Sequence, residues 1–183
     1  GLEMEARINL ISGDERPNLK LNVNATRMWH KQDLKDVFDE NGNFIRTFRY
    51  KGLTETGLEG ASNWIVNGSL NFNTNTEKPF EVTISGNYAS DRIYALGAPE
   101  FQTSGDINYN DAIIEKGFIS LDLILNKEIT KNFKIGISGK NILNPKMKRT
   151  QLIKPSTTNI ETEETVLSYT RGAQFGLNLN YNF

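Results

Sequence analysis

The chain has 183 residues, 21 basic and 22 acidic, and a formal charge of −1, which gives no electrostatic case for nucleic acid as a partner. Cysteine is absent and His30 is the single histidine, so a disulfide framework, a thiolate metal site and a multi-histidine metal centre are all excluded. Mean hydropathy is −0.49 and no run approaches the roughly 20 apolar residues of a spanning helix, yet a transmembrane β-strand needs only about 9–11 residues, with every second one facing lipid.

The amino terminus, from Gly1 to Ile8, has no basic segment followed by an apolar core and is therefore not a signal peptide. It already alternates, so the chain is expected to begin partway through a longer protein. In the first strand Leu2, Met4, Ala6, Ile8 and Leu10 share one face, with Glu3, Glu5, Arg7 and Asn9 on the other. A polar turn from Gly13 to Pro17 follows. The second strand carries Leu19, Leu21, Val23, Ala25 and Trp29 against Lys20, Asn22, Asn24 and Thr26. Beyond it charge rises, and Asn41-Gly42 between two short apolar pairs predicts a hairpin tip. The third strand sets Trp64, Val66, Gly68, Leu70 and Phe72 against Asn67, Ser69 and Asn71. After a turn from Asn73 to Pro79, the fourth sets Phe80, Val82, Ile84, Gly86 and Tyr88 against Glu81, Thr83, Ser85 and Asn87. A longer connection, roughly Ser90 to Lys116, leads to the fifth strand, with Ile119, Leu121, Leu123 and Leu125 on one face and a turn from Asn126 to Asn132. The sixth carries Phe133, Ile135 and Ile137 and is expected to continue past Pro145 as an irregular extension, before a polar loop from Lys154 to Glu164.

The connections after the first, third and fifth strands are short and the others long, an asymmetry expected of periplasmic turns and extracellular loops. Aromatics gather where two membrane interfaces would lie. Phe72, Phe80 and Phe133 stand at the short-turn ends, and Trp29, Trp64 and Tyr88 at the other ends. Arg27 and Arg171 fall on the apolar parity beside the outer aromatics, where their heads are expected to snorkel toward lipid phosphates.

The last stretch, from Thr165 to Phe183, is expected to be one extended strand: read back by twos it gives Phe183, Tyr181, Leu179, Leu177, Phe175 and Ala173, against Asn182, Asn180, Asn178, Gly176, Gln174 and Gly172. It resembles the carboxy-terminal strand of bacterial outer-membrane β-barrels. The assembly signal of that family falls here on Gln174, Gly176, Leu179 and Tyr181, with Phe183 closing the chain. A solvated strand carries Lys, Glu and Thr, whereas this one carries Asn, Gly and Gln, which suit an enclosed polar lumen. The segment Gly139-Lys-Asn-Ile-Leu-Asn-Pro145 is similar to a motif on the penultimate strand of TonB-dependent receptors. The ending from Ser168 is similar to the last strand of those receptors from Bacteroidetes. The resemblance covers the final third specifically and the rest by pattern alone.

What the resemblance implies is an all-β fold: an antiparallel transmembrane β-barrel segment, about seven up-and-down strands of a larger, 22-stranded barrel, with residues 1–183 its carboxy-terminal portion. The family's plug and energy-coupling box are missing from this sequence. The implied function is uptake of a large nutrient (glycan, peptide or siderophore) across the bacterial cell outer membrane, without catalysis or cofactor. Implied partners are the remaining barrel and plug, outer-membrane lipid and lipopolysaccharide, the barrel-assembly machinery, TonB through the missing part, and a surface lipoprotein. Two rivals are a non-transporting barrel subunit of an outer-membrane machine and a soluble β-sandwich binding module.

Carboxylates are scattered, with no nucleophile–base arrangement and hence no catalytic constellation. Asp106 to Asp111 has oxygen side chains at alternate positions but lacks the turn glycine and final Glu of a calcium loop, and reads chiefly as a solvated loop. His30 reads as a loop residue. Candidate ligand contacts are the loop aromatics Phe38, Phe44, Tyr50, Tyr94, Phe101 and Tyr109, which mix with Asn and Asp, a composition that fits sugar or peptide stacking and equally fits ordinary loop packing.

Overall fold

Alternation in sequence becomes a two-faced surface only when neighbouring strands lock in register, and here they do. A computed structural model describes residues 1–13, 17–99 and 107–183, and every regular element among them is a β-strand. In chain order these are β1 (Leu2–Ile11), β2 (Asn18–Arg27), β3 (Gln32–Asp33), β4 (Asp36–Phe38), β5 (Phe44–Thr47), β6 (Glu55–Thr56), β7 (Trp64–Asn73) and β8 (Phe80–Ala89). There follow β9 (Arg92–Ala95), β10 (Ile107–Glu115), β11 (Phe118–Thr130), β12 (Phe133–Lys140), β13 (Met147–Pro155), β14 (Thr162–Tyr169) and β15 (Gln174–Tyr181).

The main sheet has seven strands in the order β1-β2-β7-β8-β11-β12-β15, all antiparallel. Each of the seven alternating stretches has its regular part in one of these strands, but Trp29 lies beyond the end of β2, and the last stretch is not one strand. Thr165 to Tyr169 belongs to β14 in another sheet, the chain turns at Gly172, and only Gln174–Tyr181 pairs here as β15. Because directly paired residues share a face, their register builds continuous rows. One row reads Ile8, Leu21, Leu70, Ile84, Leu123, Gly139, Phe175. Another, on the opposite face, reads Glu5, Asn24, Asn67, Asn87, Ser120. Slipping one strand by a residue would put its apolar set on the amide face, so the pattern itself pins the register. On that face side chains bond across strands: Asn22 Nδ2 donates to Ser69 Oγ at 3.1 Å, and Thr83 Oγ1 to Asn71 Oδ1 at 3.0 Å.

The apolar face has no cover. Met4 is 65% exposed, Ile137 48% and Phe175 78%, and the buried hydrophobic residues (Leu34, Tyr50, Ala112 and Met147) all lie outside the seven long strands. The rows therefore do not meet a second sheet across a dry interior, as the inner face of a sandwich would. The sheet is open: β1 and β15 are its outer strands, and among the described residues no pairing joins them. Hollows lie on the polar face, one of them lined by Asn22, Asn67, Ser85 and Asn87.

Three stretches expected to be loops or turns are more regular than their composition suggests. The connection from Ser90 to Lys116 contains β9 and β10; the extension past Pro145 is the regular strand β13; and β14 takes up part of the stretch from Lys154 to Glu164. These form a four-stranded sheet, β14-β13-β10-β9, in which each strand continues its neighbour in the order β15-β12-β11-β8. Polar strands satisfied by ladder bonds need no apolar period, which is why alternation missed them. The fifth strand also runs further than its expected end at Leu125, because Asn126, Lys127 and Glu128 pair with Gly136, Ile135 and Lys134.

Between the two sheets the chain bends. At Gly117 a Cβ would lie 2.6 Å from the Ala89 carbonyl oxygen and 3.1 Å from the Asp91 nitrogen, so a residue without a side chain is required. Its N–H donates to Asp91 Oδ1 at 2.6 Å. The long connection between β2 and β7 folds back over β9 and β10, burying Leu34 and Tyr50 with Ala112, flanked by Ile93, Leu96 and Ile114. Its hairpin tip is the expected one. Gly42 has φ +82°, and Asp39 Oδ1 accepts from the Asn41 and Asn43 nitrogens at 2.9 and 2.7 Å.

Candidate functional site

Chemically equipped side chains collect where the main sheet bends into the four-stranded one. The segment from Gly139 to Pro145 is a corner. Asn141 (φ 52°) and Asn144 (φ 43°) are left-handed, a conformation asparagine tolerates better than most residues. Asn141 N–H donates to Asp122 Oδ1 at 2.8 Å, and its Nδ2 to the Gly172 carbonyl at 2.8 Å; Gly172 N–H donates to Asn144 Oδ1 at 2.9 Å. The two asparagines thus stitch β11, the β12–β13 corner and the β14–β15 corner together, using both the donor and acceptor ends of their amides.

Further out, Glu115 is 3% exposed and ties three strands. Arg92 Nε reaches its Oε1 at 2.9 Å, and Arg149 Nε and Nη2 reach its Oε2 at 2.9 and 2.8 Å. Burial alone would push the Glu115 carboxyl up, but hydrogen bonds from Arg149 and Arg92 outweigh it and hold the group below the ordinary glutamate range. The Arg149 Cζ lies 3.5 Å from the centroid of the Tyr94 ring. Sequence gave no sign of this cluster, since its members are far apart in the chain and lie in a region read as loop.

The loop aromatics do not converge. Phe38 and Phe44 meet edge to face at 6.0 Å, both exposed, at the base of the hairpin tip. Tyr50 is 1% exposed and its hydroxyl lies 3.1 Å from Thr56 Oγ1, so its ring packs the loop and offers no surface to a ligand. Tyr94 is half exposed beside Arg149. Phe101 and the Tyr109 side chain lie outside the described residues, as does Asp106. At the far end of that stretch the Asp111 carboxylate receives Lys51 Nζ at 2.8 Å and the Ala112 N–H at 2.7 Å, which occupies it. Among the described residues no group of three His, Asp or Glu side chains could hold a metal ion. His30 Nδ1 accepts the Leu58 N–H at 3.0 Å.

The two aromatic bands are separated along the strands. Trp64 pairs with Arg27, and Tyr88 with Val66 and Ile119, at one end; Phe72 pairs with Leu19, Phe80 with Lys127 and Phe133 with Tyr181 at the other. The Arg27 Cζ lies 5.5 Å from the Trp29 ring and 5.1 Å from the Trp64 ring, both exposed. Lys127, whose partners Phe80 and Ile135 are apolar, sends Nζ to the Lys78 carbonyl at 2.7 Å. Arg171 departs from expectation. Strand β15 begins only at Gln174, so parity does not reach back to it, and Arg171 lines a cavity with Asn87 and Ser120 on the polar face.

In the terminal strand Gln174 and Gly176 pair with Lys140 and Ser138 on the polar face, and Leu179 and Tyr181 with Ile135 and Phe133 on the apolar face. Phe183 lies past the end of β15, its ring 5.1 Å from that of Tyr181 and fully exposed. Comparison of the chain with protein-family models, with curated proteins and with solved structures gives no match.

Proposed function

We propose that this chain forms the carboxy-terminal strands of an outer-membrane β-barrel, a TonB-dependent transport receptor that takes up a large nutrient such as a glycan, peptide or siderophore. The observation that carries the reading is the two-faced meander: apolar rows with no protein cover on one face, and amide-lined hollows on the other. In water those rows would be a contiguous exposed apolar surface, the kind that marks a protein or membrane contact. Acyl chains outside and a wet lumen within satisfy both faces at once. Aromatic bands at both ends of the strands support the same medium. Further barrel strands, a plug and TonB are the partners this function requires.

Fractionation of the full-length protein tests the location. Retention with outer membranes through high-salt and alkaline washes, with release only by detergent, is the expected result; recovery in the soluble fraction defeats the proposal. Removing Phe183 is expected to lower the assembled amount, and unchanged levels would refute its role as an assembly signal. Energised uptake is tested by collapsing the inner-membrane proton gradient, which is expected to stop import while leaving surface binding intact.

A further inference from the structure

Arg171 faces a cavity that sequence parity did not anticipate. The cavity lies at the bend, on the polar face, as a half-open hollow of about 380 Å³. Two cations line it, Lys140 and Arg171, and among the described residues neither makes an ion pair. The single carboxylate on its wall, Asp122, already accepts the Asn141 N–H through Oδ1. The wall thus carries a net positive charge beside its other oxygen. The Arg171 Cζ lies 5.9 Å from the centroid of the Phe118 ring, which places an apolar ring beside a guanidinium able to bind a carboxylate through two N–H groups. Gln174 and Asn87 add amides that donate and accept.

We infer that this cavity is a subsite for an acidic sugar, with the carboxylate on Arg171 and Lys140. The sugar ring lies along Phe118, and hydroxyl groups donate to Asp122 and exchange hydrogen bonds with Gln174 and Asn87. Asp122 selects against a bare inorganic anion, which would be repelled by it and has no hydroxyl to offer it. A neutral sugar satisfies the amides and leaves both cations unused. The location of the site in a transport lumen rests on the barrel reading; the chemistry of the cavity does not.

The test is titration calorimetry on the full-length protein in detergent, with glucuronate, glucose and inorganic phosphate as probes. Glucuronate is expected to bind at least tenfold more tightly than glucose or phosphate. Arg171→Gln is expected to weaken glucuronate at least tenfold and Arg171→Lys less, and Lys140→Gln is an independent second variant. Arg171 lies outside any strand, so the ladder is expected to survive, as the β-sheet circular dichroism spectrum checks. Equal affinity for glucose, equal or tighter affinity for phosphate, or no glucuronate binding by a folded protein overturns the subsite. A protein that stays in solution without detergent would defeat the membrane reading, and the same titration would still judge the cavity.

Discussion

Placing an arginine at successive depths on one strand discriminates among lipid, water and a dry core. Val23 is paired with Ala6 and Gly68, and Gly68 stands midway between Trp64 and Phe72 on the same face. Leu19, four residues earlier on that face, pairs with Phe72 at the turn end, and Asn22 lies on the opposite face. Four residues span about 14 Å along a strand, or roughly 10 Å of depth at a tilt of about 40–45°. In a bilayer Val23→Arg is expected to cost about 2–4 kcal/mol, Leu19→Arg about 0–1, and Asn22→Arg under about 1. A dry sandwich would penalise Val23→Arg and Leu19→Arg alike, because an unpaired charge is costly anywhere in a core; water would penalise neither. The assay is reversible denaturant unfolding of the full-length protein from phospholipid vesicles, followed by tryptophan fluorescence. Equal costs at Val23 and Leu19, or a larger cost at Asn22, would refute the reasoning.

Substitutions at three further positions probe the bend and the four-stranded sheet. Glu115→Gln leaves two arginines without their carboxylate and is expected to cost about 3 kcal/mol, the low end for a buried pair because Arg92 is partly solvated; hydrogen exchange in β9, β10 and β13 reads it. The lowered carboxyl of Glu115 fixes the sign with pH. Its contribution is fully present above the ordinary glutamate value of about 4.3 and is lost as pH falls through its folded value, so these strands are expected to loosen in acid before the main sheet does. Gly117→Ala forces a methyl against the Ala89 carbonyl and is expected to cost about 1–3 kcal/mol in thermal or chemical unfolding. At Asn141, Val is expected to cost more than about 2 kcal/mol, from left-handed strain plus the lost amide bond, and Gly distinctly less.

The main sheet was legible because a two-residue period survives translation into structure without tertiary help. Leu21, Leu70, Ile84 and Leu123 had to share a face once their strands paired. Strands β9, β10, β13 and β14 were not legible, because strand character in stretches such as Met147–Pro155 comes from backbone ladders and ion pairs with distant residues rather than from a local period. Arg171 was misplaced for a related reason. Parity counts only while the backbone stays extended, and the chain around Gly172, with φ +83°, does not. Tyr50 looked like a ligand contact because aromatics among Asn and Asp read as exposed, whereas it fills the small core beneath the loop. The candidate cavity combines both blind spots: its cations come from the end of one strand and from a corner.

The free edges give the membrane reading its most exposed consequence. Among the described residues, strands β1 and β15 each present an unpaired row of backbone donors and acceptors along the side away from the sheet. In water such a row is solvated at little cost; in hydrocarbon each unsatisfied group costs several kcal/mol, so across a full strand the penalty exceeds the stability of any domain. If acyl chains wet the apolar rows, the intact protein must therefore supply a hydrogen-bonded neighbour to each edge. Amide exchange in the full-length protein reconstituted in bilayers distinguishes the cases. Protection along β1 and β15 is expected to match that of β7, which is paired on both sides here. Fast exchange at either edge, with β7 protected, would mean that water reaches the side of the sheet, and a sheet wetted at its side cannot be standing in lipid.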